Sequence, residues 1–226
     1  MADPAPVVGL PDAEFIELYN NTNGTINLAN WSYKDGGSSI AQLPAYNLNA
    51  GSYVILCDED DTTLFNGFGN VLGLSTWPAL NNGGDQLGLR DANNNLIDSV
   101  SYTDNWYQDA SKSSGGWTLE RINPMDPCSD ANNWKASLNA NGGTPGIQNS
   151  VYNNQPNNAL PEVSSFSIIS NSQMVLQFSK SLDTGVVSVS NFSMDNGLSV
   201  TAVSAIGLDE LAVTVNPMMT MTDIYN

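Results

Sequence analysis

Glu14 and Glu17 stand three residues apart in "EFIELYNNTNGTINLANW", the stretch from Glu14 to Trp31. Paired carboxylates are the working groups of glycoside hydrolases, which hold two of them about 5–10 Å apart across a sugar. The local pattern argues against that use. "FIELY" alternates, and successive side chains of a strand point to opposite faces. Ile16 and Leu18 therefore share one face and Phe15, Glu17 and Tyr19 the other. Glu14 and Glu17, three apart, face opposite sides and make no pair with each other. Glu17 keeps only the option of a partner on a neighbouring strand.

Other chemistry is thinly supported. The chain has no His, so Ser or Cys nucleophiles lack their usual base. Only Ser–Lys neighbours remain, Ser111 with Lys112 and Ser179 with Lys180, both read as exposed loop or strand ends. Without His or a CxxC pair, a tetrahedral zinc site is not expected. Asp58, Glu59, Asp60 and Asp61 follow Cys57 in one acidic run. Calcium takes about six to eight oxygen ligands, so this loop is a candidate calcium site, although it lacks the D-x-D-x-D-G spacing of an EF-hand. The plainer alternative is a solvated acidic loop. Cys57 ends a predicted strand and Cys128 lies in an irregular segment. A disulfide between them would staple that segment to a sheet and contribute about 2–4 kcal/mol. Two free thiols, with Cys57 in the core, is the alternative. Trp31, Tyr33, Trp77, Trp106 and Tyr107 could form a sugar-stacking platform, against the simpler reading of core and lid packing. The Asn-x-Ser/Thr triplets at Asn20, Asn23, Asn30 and Asn191 are expected by chance in so Asn- and Thr-rich a chain.

The elements that must carry these residues are short. Of 226 residues, 41% are apolar and only 13% charged, enough to build a core. The net charge is −17 with six basic residues, which repels phosphate backbones and disfavours anionic membrane surfaces. No apolar run reaches the ~18 residues of a membrane span. "MADPAP" is not a signal peptide, so the chain reads as a fragment whose targeting signals lie elsewhere or were removed. Strand signals come as short runs between turn residues: "FIELY", "TINLANWSYKD", "AYNLNAGSYVILCD" and the hairpin "DQLGLRDANNNLIDSVSY". Leu87 and Leu89 alternate toward a core there, answered by Val100 and Tyr102 on the return. Ile16, Leu18, Trp31, Leu87 and Leu89 are the expected core. From residue 104 to 151 the chain is irregular and holds Trp106, Trp117 and Trp134, as a lid packed on a sheet would. "YNNQPNNALPE", residues 152–162, is a linker by composition. New strand signals follow: "VSSFSII", "QMVLQFS", "NFSM", "LSVTAVSAI" and "ELAVTV". That second unit has about 64 residues, short of the ~100 of an immunoglobulin-like sandwich. It is expected to be truncated, with an open sheet edge.

Taken in order, "MADPAP", "EFIELYN", "INLANW", "LNAGSYVIL", "NNGGDQLGLRDANNNLIDSVSY", "LERINP", "NW" and "GGTPGIQNS" resemble the lamin-tail domain of bacterial secreted and surface proteins. The resemblance implies an immunoglobulin-like β-sandwich over residues 1–151. In nuclear lamins that fold is an interaction module without catalysis. In bacterial proteins it resembles accessory modules beside secreted nucleases and phosphoesterases. Relatives carry an extended strand before "MADP", so the first edge is expected to be missing here. Residues 163–226 resemble part of a bacterial immunoglobulin-like domain of the surface-layer type.

The fold class expected is therefore all-β, an immunoglobulin-like sandwich followed by a second, partial β-domain. The function expected is a non-catalytic structural or interaction module, for spacing, display or partner binding, in a secreted or cell-surface bacterial protein. Its alternative is a carbohydrate- or ligand-binding accessory module of a secreted hydrolase. No catalytic or cofactor-binding residue is assigned beyond the candidate calcium loop. The expected partner is a protein or a cell-surface polymer, with no direct nucleic-acid binding and no membrane insertion.

Overall fold

The computed structural model describes residues 1–126, 131–155, 160–180, 182–183, 185–207 and 209–219. The chain divides into two compact units, Met1–Pro156 and Asn157–Asn226. Both are all-β.

The first unit carries eleven strands: β1 (Ile16–Tyr19), β2 (Ile26–Asn27), β3 (Ser32–Lys34), β4 (Ile40–Gln42), β5 (Asn47–Leu48), β6 (Tyr53–Asp58), β7 (Val71–Leu74), β8 (Gly84–Arg90), β9 (Leu96–Thr103), β10 (Leu119–Arg121) and β11 (Trp134–Ala136). One sheet has the order β1-β6-β7 and the facing sheet the order β4-β3-β8-β9. Two small ladders, β2-β5 and β10-β11, flank them. The main core lies between the sheets, where Val54, Leu56 and Leu74 meet Tyr33, Ala41 and Tyr102, with Leu28 and Leu48 from the short strands. This is the immunoglobulin-like sandwich that the resemblance implies.

Strand β6 reads "YVILCD", a near-continuous apolar run, and Val54 to Cys57 are all buried. Alternation alone would bury only every second residue. The second face is covered because β6 and β7 run parallel, and parallel neighbours need a crossover. Here the crossover holds a 3-10 helix, Glu59–Phe65. Phe65 packs edge-on to Phe15 at 5.3 Å. With Leu10 and Ala13 they form a second core over Ile55 and Cys57.

Turn chemistry sets the rest. The "DANNN" hairpin between β8 and β9 closes as the sequence suggests: Asp91 Oδ1 accepts from the backbone N–H groups of Asn93 and Asn95, and Asn94 takes a left-handed φ of +66°. Leu87 pairs with Val100 across this hairpin. "TINLANWSYKD" is not one extended piece. A turn centred on Asn30, at φ +62°, separates β2 from β3. In this turn Trp31 N–H donates to Leu28 O. The segment read as an irregular lid also holds regular structure, since β10 and β11 pair antiparallel from Leu119↔Ala136 to Arg121↔Trp134.

The second unit is a single antiparallel sheet of β12 (Val163–Ser170), β13 (Gln173–Phe178), β14 (Ser199–Ala205) and β15 (Glu210–Asn216), in the order β12-β13-β15-β14. Met174, Val213 and Val215 form its core with Leu198. "NFSM" is not a strand. Its Asn191 ends a short 3-10 turn, Val189–Asn191, and Phe192 and Met194 pack irregularly onto the sheet. β12 is exposed along its whole length. Its Phe166, opposite Leu176, is 65% exposed.

Among the described residues, no helix is long and apolar enough to cross a membrane.

Candidate functional site: the edge of strand β1 and its carboxylates

The two acids of the opening stretch go to different loops. Glu14 precedes β1 and its Oε2 accepts from Trp77 Nε1 at 2.8 Å and from Leu80 N–H at 3.0 Å. Glu17 lies within β1, opposite Ile55, and accepts the backbone N–H of Gly146. The alternation places Ile16 and Leu18, opposite Leu56 and Val54, on the inter-sheet face. Glu17 points to the other face, where the segment around Thr144–Gly146 lies against it. Burial pushes the Glu17 carboxyl up to about 7. The Gly146 N–H and the terminal amine pull it down, and the charge of Glu120 adds to the upward push.

Glu120, on β10, is the third acid here and is buried. Its Oε1 accepts from the hydroxyls of Thr144 at 2.8 Å and Thr118 at 3.2 Å. Its Oε2 accepts from the Ser150 hydroxyl at 2.7 Å and Val151 N–H at 3.3 Å. A buried carboxylate is tolerated when its lone pairs are all engaged. Glu120 meets that condition while tying the segment 144–151 to β10. Nothing in a three-residue strand "LER" marks such a residue in the sequence. The signal present is the "TPG" turn, which needs something to dock on.

Gly146 is required by its place. Its φ is +81°, and a Cβ there would overlap the carbonyl oxygen of Phe68. Only glycine takes that conformation at such close approach without strain.

A cavity of about 530 Å³ lies beside β1. Phe15, Ile16, Glu17, Leu18 and Tyr19 all line it. Consecutive residues of a strand can border one cavity only along its edge, because their side chains alternate between faces. β1 pairs with β6 alone among the described strands, so the cavity follows its unpaired side. Leu87, Leu89, Val100 and Leu119 border the same space. Of the residues read as core, Ile16, Leu18, Trp31, Leu87 and Leu89 pack against the main core but are only partly buried. All five line this groove.

The remaining sequence candidates do not converge. Asp58 to Asp61 do not form a calcium loop. Asp58 caps the 3-10 helix by accepting from Asp60 N–H at 3.0 Å, and the acids that follow occupy its first turn. Among the described residues no group of three or more acids, His or Cys could hold a metal ion. Cys57 is fully buried in β6. Cys128, its expected disulfide partner, lies outside the described residues. Lys112 is no base for Ser111. It donates to Ser137 O at 2.7 Å and sits 4.3 Å from the centre of the Trp117 ring, while Ser111 bonds Asp109. Lys180, read as exposed, is buried. The five aromatics do not make a platform: Tyr33 and Tyr107 are buried, and Trp77 is held by Glu14 and packs on Tyr33 at 5.8 Å.

No curated protein and no solved structure matches the chain significantly. The "LERINP" and "GGTPGIQNS" pieces that carry Glu120 and Gly146 fall beyond the span that a family model does match. Within that span lie both sheets of the sandwich, β1 and its acids. Residues 1–104 match the family model described as the Lamin Tail Domain, a non-catalytic immunoglobulin-like module.

Proposed function

We propose that the chain is a non-catalytic structural and interaction module of a secreted or cell-surface bacterial protein. One observation carries this reading: the acids placed best for chemistry are already committed. Glu14, Glu17 and Glu120 each accept hydrogen bonds from loop donors. General acid–base work needs a carboxyl that can meet a substrate proton, and these meet Trp77, Gly146 and Thr144 instead. The second unit, read as part of an immunoglobulin-like domain of the surface-layer type, fits an extended array of such modules. The partner is then a protein or a cell-surface polymer. A carbohydrate-binding accessory role has less support, because the aromatics it would use are spent in packing.

The test is exposure on intact cells. In a bacterial host that makes the full-length parent protein, external protease should cleave this region while cytoplasmic markers stay whole. Retention behind the membrane would overturn the reading. So would hydrolysis of glycoside or phosphoester substrates that disappears in Glu17→Gln.

A further inference from the structure

We propose that Asn82 is a site of spontaneous modification, converting to aspartate and isoaspartate through a ring closed with Gly83, and that this conversion loosens the turn that starts β8.

The chain holds five Asn–Gly pairs, at Asn23, Asn66, Asn82, Asn141 and Asn196. Such pairs share one chemistry. The backbone nitrogen after the asparagine attacks Cγ of its side chain, and glycine has no Cβ to obstruct the approach. The new N–Cγ bond replaces the Cγ–Nδ2 bond, and ammonia leaves with the proton of the backbone N–H. Water then opens the five-membered imide. Attack at Cγ gives aspartate. Attack at the main-chain carbonyl gives isoaspartate, whose backbone runs through the side chain. Water is the only co-reactant.

The fold sorts the five pairs. Gly24 N–H is held by Thr22 Oγ1 at 3.3 Å. Gly142 is buried, and its N–H donates to Asn139 O at 3.0 Å. Asn66 has a ψ of +124°, and Asn196 is left-handed at φ +51°. Both conformations swing the next nitrogen away from the side chain. Asn82 differs. Gly84 N–H donates to Asn81 O at 3.1 Å, and neither Asn82 nor Gly83 has a positive φ. That is a type I turn, whose first central ψ of about −30° leaves the next nitrogen beside Cβ. Both residues are exposed. Among the described residues, neither the Asn82 side chain nor the Gly83 N–H has a hydrogen-bond partner. A Cβ on Gly83 would meet nothing within 4 Å, so the ring and the attacking water have room.

The ends of this turn are anchored. Asn81 donates to Asp85 Oδ2 from its N–H at 3.1 Å and from Nδ2 at 2.9 Å. Its carbonyl also accepts the Tyr102 hydroxyl at 2.8 Å. Asn82 and Gly83 are thus a free tip between fixed ends. Isoaspartate adds a carbon to the main chain at that tip, which breaks the fit of the Gly84 N–H to Asn81 O. Gly84 opens the pairing of β8 with β9 opposite Thr103, so the ladder loosens at its first rung.

The test ages the folded 226-residue chain in mildly alkaline buffer made with H₂¹⁸O and maps its peptides. Asn82 should convert first, with ¹⁸O in both the aspartate and the isoaspartate peptide. Gly83→Val fits the open space and should slow the conversion about tenfold or more, a barrier higher by ~1.4 kcal/mol or more. In 6–8 M urea, about the range that unfolds such domains, the five pairs should convert at similar rates. Another pair matching Asn82 in the folded chain would overturn the proposal. So would a lead for Asn82 that persists in urea, or a rate that Gly83→Val leaves unchanged. Hydrogen exchange on the purified isoaspartate form should show the Gly84 amide less protected than in the fresh chain. Equal protection would overturn the loosening of the turn.

Discussion

The hydroxyl of Thr144 donates to Glu120 Oε1 across 2.8 Å, joining residues 24 apart in sequence through a buried contact. With Ser150 and Val151 on the other oxygen, this one side chain holds the end of the first unit against its sandwich. Glu120→Ala leaves the Thr144 hydroxyl and the Val151 N–H without their acceptor, while Thr118 keeps Gly142 O and Ser150 keeps Ser137. The expected loss is about 3–5 kcal/mol, read from urea unfolding. Glu120→Gln keeps two lone pairs and should lose about half as much. Proteinase K should cut the alanine variant first between residues 137 and 151.

Glu17 makes stability depend on pH in a defined direction. Its carboxyl binds a proton more tightly in the folded protein, near pH 7, than its ordinary value of 4.5 allows. Its contribution is complete below about pH 4.5 and is lost as pH rises through about 7. At about 1.4 kcal/mol per unit the decline amounts to at most about 3 kcal/mol. Glu17→Gln removes the titration. The difference between variant and parent in melting temperature should grow in the variant's favour from pH 4.5 to pH 8. A flat difference across that range would mean the carboxyl titrates as it does in water.

Gly146→Ala combines a left-handed backbone with an overlap on Phe68 O. Either the segment shifts or it lets go. A loss of about 2–4 kcal/mol is expected in thermal or denaturant unfolding. The amides of residues 144–147 should lose hydrogen-exchange protection first.

Cys57 is 0% exposed, and burial pushes its thiol up to about 11. A neutral, enclosed thiol is inert. In reduced, folded protein at pH 7.5, Cys57 should resist alkylation for hours and react fully in 6–8 M urea, about the range that unfolds such domains. Peptide mapping distinguishes it from Cys128. Labelling of Cys57 at the rate of a free model thiol would show that the outer face of β6 opens readily.

Much of the fold could be read from the chain because its strands announce themselves by alternation and its turns by Asn and Gly. "DANNN" and "LNAG" name their own geometry, so the β8–β9 hairpin and the start of β6 follow from local chemistry alone. Trp31 was harder to place as an element, because a single left-handed Asn30 breaks a run whose composition stays strand-like throughout. β10 and β11 are three residues each and carry no period long enough to notice. The candidate site was less legible still. Alternation correctly parts Glu14 from Glu17, but apart from Thr118 the donors that reach Glu17 and Glu120 come from residues 24 to 129 positions away. Such partners are set by tertiary packing. The acidic run at Asp58 misleads for the opposite reason: helix capping and cation binding ask for the same carboxylates.

The contact between Glu17 and Gly146 spans 129 residues, and it sets an order of events during synthesis. β6 can begin to pair with β1 once residue 58 is made, and its outer face can be covered once Phe65 follows. The carboxyl of Glu17 has no Gly146 to receive until the segment after β11 has left the ribosome. A nascent chain paused before Thr144 would present a sandwich whose two key acids, Glu17 and Glu120, are still soliciting donors.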